Sequence, residues 1–294
     1  MKHILNFGSL NIDHVYHVEH FVRPGETLPC SNYERFAGGK GFNQSTAMAR
    51  AGLRVTHAGQ IGSDGMWLRE RLTAENVNIN VLQTTSDAPT GHAIIQVAAS
   101  GENSILINGG ANQTLDELSV KRAFDATENV DMVVLQNETS AVRHVLSFAQ
   151  QRGLPVLFNP APITQDVAEL PLGTLAILVV NEVEASGLVG AGDPETLCQR
   201  LAERFPTTLC VLTAGERGAW AVRGSERWDN PAHPVQAVDT TAAGDTFIGF
   251  FLAELLSSKS VEKALAIANQ AAAISVTRPG AADSIPTRRE IVQG

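Results

Sequence analysis

The sequence predicts an α/β protein: a doubly wound, mostly parallel β-sheet flanked by helices, with a small antiparallel β lid. Three observations lead there. Short β-branched runs alternate with amphipathic stretches along most of the 294 residues, the order that builds parallel sheets through helical crossovers. Several of these runs are apolar on consecutive residues, as strands covered on both faces are. Two stretches break the rhythm, alternating with period 2 and having no helix between their halves.

Taken in order, the first strand covers residues 4–7. Residues 15–21 and 32–36 alternate as the first half of the lid. A helix over 42–51 leads to a strand over 55–60 and a helix over 66–76. The second half of the lid, 92–98 and 103–108, turns through Ala99-Ser100-Gly101-Glu102, a plausible hairpin connection. Strands over 132–136, 155–159, 175–180 and 208–213 follow, with helices over 140–152 and 195–205 among them. Residues 240–276 are Ala-rich and read as mostly helical. No repeat, low-complexity tract or linker interrupts the chain. Residues 1–294 therefore count as a single α/β domain, with lid strands from about 14–36 and 91–108.

Composition excludes several classes. With 44% apolar and 18% charged residues, the chain is neither disordered nor collagen-like. Lys plus Arg is 22 against 31 Asp plus Glu, a net charge of −9. That balance argues against a nucleic-acid or anionic-membrane binder, both of which need a basic surface. A local basic pocket for a phosphorylated ligand is compatible with it. Cys30, Cys198 and Cys210 form no C-x-x-C and read as reduced thiols. The apolar runs at 175–180 and 247–256 fall short of the roughly 18 residues a membrane span needs. The first run is too short for an export signal. The expected setting is cytoplasmic.

Five segments carry candidate chemistry. Asn11 and Asp13 follow the first strand and, two apart in extended chain, point the same way. A ligand cleft is expected at the carboxyl end of a parallel strand, and an amide with a carboxylate suits hydroxyl recognition. The alternative is a local Asn/Asp turn. Gly38-Gly39-Lys40-Gly41-Phe42-Asn43-Gln44 opens a helix with three glycines around a lysine, allowing close backbone approach to a ligand. It matches neither the P-loop nor the dinucleotide fingerprint, which removes a nucleotide-dependent dehydrogenase. It could equally be a plain connector.

The strongest signal is 239–247, Asp-Thr-Thr-Ala-Ala-Gly-Asp-Thr-Phe. At the start of the helix it opens, the N–H groups of Ala242, Ala243 and Gly244 would be unpaired at the positive end of the dipole. They make a hole for a phosphoryl group in flight. Asp245 in the same turn can accept a hydroxyl proton that leaves late, as the new P–O bond forms. The competing reading makes Asp245 a helix cap. Asn181 and Glu184, at i and i+3 on one helix face, could orient hydrated Mg²⁺ or could be a capping box. Thr213-Ala214-Gly215-Glu216-Arg217-Gly218 suits ribose and phosphates at a strand end, or is simply a tight turn. His14, His17 and His20 do not share one face of a strand and are assigned no metal.

In this order, the motifs resemble the ribokinase (phosphofructokinase B-type) family of carbohydrate kinases, from Gly8-Ser9-Leu10-Asn11-Ile12-Asp13 to the 278–284 run. The glycine loop at 38–44 and the 239–247 segment correspond to the two family signatures. The Asn159-Pro160-Ala161-Pro162 run and Val238-Asp239-Thr240 place the chain near the family's namesake members. The resemblance implies a ribokinase-like fold and ATP-dependent phosphorylation of a sugar's primary hydroxyl, with ribose the first expectation. Another furanose-like sugar or a nucleoside is the alternative acceptor, and non-catalytic sugar binding the alternative activity. Asp245 matches the base, and Ala242, Ala243 and Gly244 match the anion hole. Asn11, Asp13, Gly39, Lys40, Asn43 and Glu138 match sugar-contacting positions. Asn181, Thr213, Gly215, Gly218 and Asn269 match nucleotide positions, and Glu184 the Mg²⁺-associated acid. Asp239, Thr241, Ser275, Arg278, Gly280 and Ser284 match a monovalent-cation (K⁺) site, mostly through carbonyl oxygens. A homodimer through the lid is also implied. Phe42 departs from the small residue usual there; its ring either narrows the sugar pocket or enters the core.

Overall fold

The computed structural model describes residues 1–293. Its strands are β1 (His3–Phe7), β2 (Asn11–Val18), β3 (Asn32–Gly38), β4 (Arg54–Gly62), β5 (Leu82–Thr85), β6 (Gly91–Ala98), β7 (Asn103–Asn108), β8 (Met132–Gln136), β9 (Val156–Asn159), β10 (Ile177–Asn181), β11 (Leu209–Thr213), β12 (Ala219–Arg223) and β13 (Glu226–Asn230). Its helices are α1 (Lys40–Arg50), α2 (Met66–Ala74), α3 (Glu117–Asp125), α4 (Val142–Gln151), α5 (Glu182–Val189), α6 (Pro194–Arg204), α7 (Ala243–Ser258), α8 (Val261–Val276) and α9 (Arg288–Gln293).

The large sheet has the order β13-β12-β11-β10-β9-β8-β1-β4-β5. It is parallel from β11 to β5, and β12 and β13 add an antiparallel edge. β1, β8 and β9 are buried at every position, which explains their mostly apolar sequences. One core layer packs α1, α7 and α8 on one face; the other packs α3 to α6 on the opposite face. The chain goes from β1 to β4 on one side and later to β8 on the other, so the order reverses beside β1. Ligands in open α/β sheets bind outside the strand ends at such a switch point.

The lid is the sheet β3-β2-β6-β7. Both hairpins are antiparallel, and the central pair β2–β6 that joins them is parallel. The two hairpins lie side by side rather than forming one meander. β2 runs from Asn11 to Val18, earlier than the expected 15–21, because Asn11 already pairs with Gly38 and Gly91. Asn11 and Asp13 are therefore lid residues at its root.

Other differences have local causes. The short strand β5 and the polar strand β13 (Glu-Arg-Trp-Asp-Asn) lack a buried face strong enough to signal. Helix α3 is not among the expected helices, and of α5, which carries no clear apolar stripe, only the capped start at Asn181–Glu184 is. The 240–276 stretch is two helices, broken at Lys259 in a left-handed conformation (φ 56°) and restarted by Ser260, whose side chain accepts from Lys263 N–H.

Candidate active site

The site forms where α1 and α7 begin. α7 is buried continuously from Asp245 to Glu254, so the core holds its first turn firmly. α1 lies directly against it: a Cβ on Gly249 would collide with Ala47. This closeness puts residues 43 and 44 of one helix against residue 245 of the other. Asn43 Nδ2 donates to Asp245 Oδ2 at 3.0 Å, and Gln44 Nε2 to Oδ1 at 2.9 Å. Asp245 is only 7% exposed. Burial pushes its carboxyl above the ordinary range, opposed by Lys40 and by the donors Gln44 and Asn43. A carboxylate held this way is more basic than usual.

Asp245 does not cap its helix. The cap is Ala242, in a left-handed backbone (φ 60°) that a residue with a Cβ adopts only under constraint. That turn exposes Gly244 and leaves the N–H groups of Ala242 and Gly244 without an acceptor among the described residues. The expected trio is corrected at its middle member, because the same turn swings Ala243 N–H toward Thr240 O at 3.3 Å. Two bare amides and a basic carboxylate thus share the positive end of a 16-residue helix.

The residues expected to contact a sugar gather beside this turn. Asp13 lies against Gly38, where a Cβ would run into its carboxylate. Burial, with Glu138 adding to it, raises the Asp13 carboxyl to about 6. Glu138 Oε2 accepts from Lys40 N–H at 3.0 Å and from the Ser9 hydroxyl, tying the β8 end to the glycine loop. Gly39 holds the turn into α1 at φ 89°. Burial works against the Lys40 charge, but Asp245, Glu138 and Glu184 together outweigh it and raise its pKa. Asn11 Oδ1 already accepts from Asn112 Nδ2 at 2.8 Å, which leaves its amide hydrogens for a ligand.

A cavity of about 220 Å³ opens on the other side of Asp245, lined among others by Lys40, Asn181, Glu184, Thr213, Ala242 and Gly244. Asn181 and Thr213 are paired neighbours at the ends of β10 and β11. Here the capping box is what forms: Asn181 Oδ1 accepts from Glu184 N–H at 2.8 Å, and Glu184 Oε2 accepts from Asn181 N–H at 2.9 Å. Both Glu184 oxygens already accept hydrogen bonds, an arrangement that suits contact with a hydrated Mg²⁺ through its waters. Gly215 and Gly218 hold left-handed turns at φ 55° and 99°. Asn269 is corrected in part: its amide is spent on Asn230 and Pro231, pinning the β13 end to α8. A larger groove of about 1120 Å³ between α6 and the β12–β13 edge holds none of these residues.

The expected cation residues converge on two loops. Asp239 Oδ1 accepts from Thr241 N–H at 2.8 Å and Oδ2 from Gly280 N–H at 2.9 Å, so its carboxylate staples the loops rather than pointing at an ion. These bonds outweigh burial and lower its pKa. The Ser275 and Ser284 hydroxyls donate to backbone carbonyls, and Arg278 pairs with Glu290. Among these residues, the Thr241 hydroxyl and the backbone carbonyls are the oxygens left outside these side-chain bonds.

Phe42 is 1% exposed and lies in the core layer with Met48 and Phe247, turned away from the sugar side. The sequence reading missed Asn6, Asn112 and Gln136. Asn6 and Gln136 carried a usable signal, since Asn6 interrupts the apolar Ile-Leu-Asn-Phe run of β1 and Gln136 closes the apolar run of β8 with a buried amide.

Comparisons with known proteins bear on all of this. The family described as pfkB family carbohydrate kinase matches residues 1–288. A ribokinase of Haemophilus influenzae is 38% identical over 300 residues, covering 99% of this chain and 98% of its own. The crystal structure of the ribokinase of Cryptococcus neoformans in complex with ADP superposes with a TM-score of 0.87 at 33% identity, covering 100% of this chain and 99% of that one. The structure of the Arabidopsis thaliana ribokinase complexed with ribose and ATP gives 0.88 at 29% identity, covering 100% and 98%.

Proposed function

This chain belongs to the pfkB family of carbohydrate kinases, and from that premise we propose that it is an ATP-dependent ribose kinase whose base is Asp245. One observation carries the assignment of the base. A buried carboxylate and two amides without acceptors meet at the start of α7, between a polar sugar side and the cavity lined by Asn181 and Thr213. Full-length likeness to ribokinases supports the sugar and the nucleotide.

Asn11, Asp13, Gly39, Lys40, Asn43 and Glu138 hold the sugar with its primary hydroxyl at Asp245. ATP lies along Asn181, Thr213 and Gly215–Gly218, with its γ-phosphate toward Gly244. The hydroxyl oxygen attacks phosphorus and the bond to the ADP oxygen breaks. Asp245 takes the hydroxyl proton late in this step. The Ala242 and Gly244 amides, with Lys40, stabilise charge on the transferring oxygens. Mg²⁺ near Glu184 would neutralise phosphate charge, and K⁺ against the carbonyls of the stapled loops would stiffen the anion hole. The lid over the sugar keeps water from intercepting the phosphoryl group. The chain works as one α/β unit with its lid, in the cytoplasm and as a homodimer.

The test is ADP release measured across pentoses, hexoses and nucleosides with ATP. Ribose is expected to give the highest kcat/KM. A nucleoside or hexose far ahead of ribose would overturn the acceptor, and no release with any of them would overturn the kinase.

A further inference from the structure

Asp245 keeps two amide donors, and they differ in kind. Asn43 belongs to the sugar side, whereas Gln44 is 0% exposed and cannot reach a ligand. Gln44 is also the first link of a continuous buried chain. Gln136 Nε2 donates to Gln44 Oε1 at 2.7 Å and to Asn6 Oδ1 at 2.9 Å. Asn6 Nδ2 donates to Ser45 Oγ at 2.8 Å, and Ser45 Oγ lies 2.8 Å from His57 Nδ1. His57 Nε2 lies 3.2 Å from Gly8 O.

The chain has one consistent polarity. Gly8 O can only accept, so His57 Nε2 carries the proton. Burial lowers the His57 pKa to about 4, so the ring is neutral and Nδ1 accepts. Ser45 must then donate to it and accept from Asn6, which turns the Asn6 oxygen toward Gln136. Both Gln136 hydrogens are committed, one of them to Gln44 Oε1. That leaves Gln44 only its NH₂ end for Asp245. Its second hydrogen reaches Asn159 Oδ1 at 3.3 Å.

We propose that Gln44, its amide orientation dictated by Gln136, Asn6, Ser45 and His57, is the positioning residue that holds the Asp245 carboxylate in register for proton transfer. Oδ1 is anchored from the core, and Oδ2, shared with Asn43, faces the sugar. The inference rests on Asp245 being the base.

Gln44→Met keeps the volume and removes the donor. kcat is expected to fall about 10- to 100-fold, the scale of a misplaced reacting group, with sugar KM changed less than about threefold. Losing a donor also raises the Asp245 pKa, so the acid limb of kcat moves to higher pH. Gln136→Met, which touches neither Asp245 nor the sugar side, should show both effects in weaker form. A wild-type crystal structure with sugar should keep Gln44 Nε2 in hydrogen-bond contact with the carboxylate. An unshifted acid limb with normal kcat in either folded variant would overturn the proposal, as would separation of the pair beyond contact in that structure. Failure of the underlying reading appears separately, as wild-type protein that phosphorylates no sugar or Asp245→Asn that turns over normally.

Discussion

Replacing the Asp245 carboxylate by its amide is the sharpest test at the residue scale. Asp245→Asn should leave sugar binding by calorimetry within a few-fold and cut kcat by roughly 10²-fold or more, the scale of losing a general base. Asp13 makes a prediction with a sign. Its folded-state pKa, about 6, lies above its ordinary 3.8. Ionising it therefore costs the folded chain stability; the cost is full above about pH 6, shrinks as pH falls through 6 and is gone below 3.8. Asp13→Asn should raise Tm at pH 7.5 by about 2–4 °C, as about 1 kcal/mol would, with the gain fading toward pH 4. A gain independent of pH in scanning calorimetry would contradict this. The same substitution should raise the sugar KM, because a carboxylate that destabilises the empty protein is retained for the hydroxyl it accepts.

Elements bring distant residues together, and here two contacts matter. Gly249→Ala pushes α7 off Ala47, and overpacking of this kind costs about 1–3 kcal/mol. A lower Tm together with a lower kcat is expected, since α1 carries Asn43 and Gln44 away from Asp245; unchanged Tm and kcat would mean the helices have room. The stapled loops make the cation testable. Rates should rise with K⁺ and fall when Na⁺ or tetramethylammonium replaces it, and equal initial rates in all three salts would remove the site. This scale also shows what the sequence could convey. The mouth of α7 was readable because small residues before an Asp and an apolar run have few other uses. The start of β2 was not, because register with Gly38 and Gly91 is a property of three segments at once. Asn269 looked free for a ligand only because Asn230 is 39 residues away in the chain.

At the scale of the whole molecule, the mostly parallel sheet and its flanking helices followed from apolar runs and their spacing, while the order of the strands and the lid's parallel seam did not. Its exposed strand β7 carries Leu106 and Ile107 at 67% and 69% exposure, a patch expected to be covered in a homodimer. Leu106→Asp should give a monomer in sedimentation velocity where wild type sediments as a dimer; monomeric wild type would contradict the arrangement. The root of the lid has a last consequence. Asn11 and Asp13 sit on β2, the strand that continues outward as the lid. Tilting the cover cannot leave these two side chains where they were, so grip and cover form one lever with a shared fulcrum. On the proposed function, a sugar that fails to engage Asp13 should therefore also fail to draw the cover down, so a single missing contact would count against it twice.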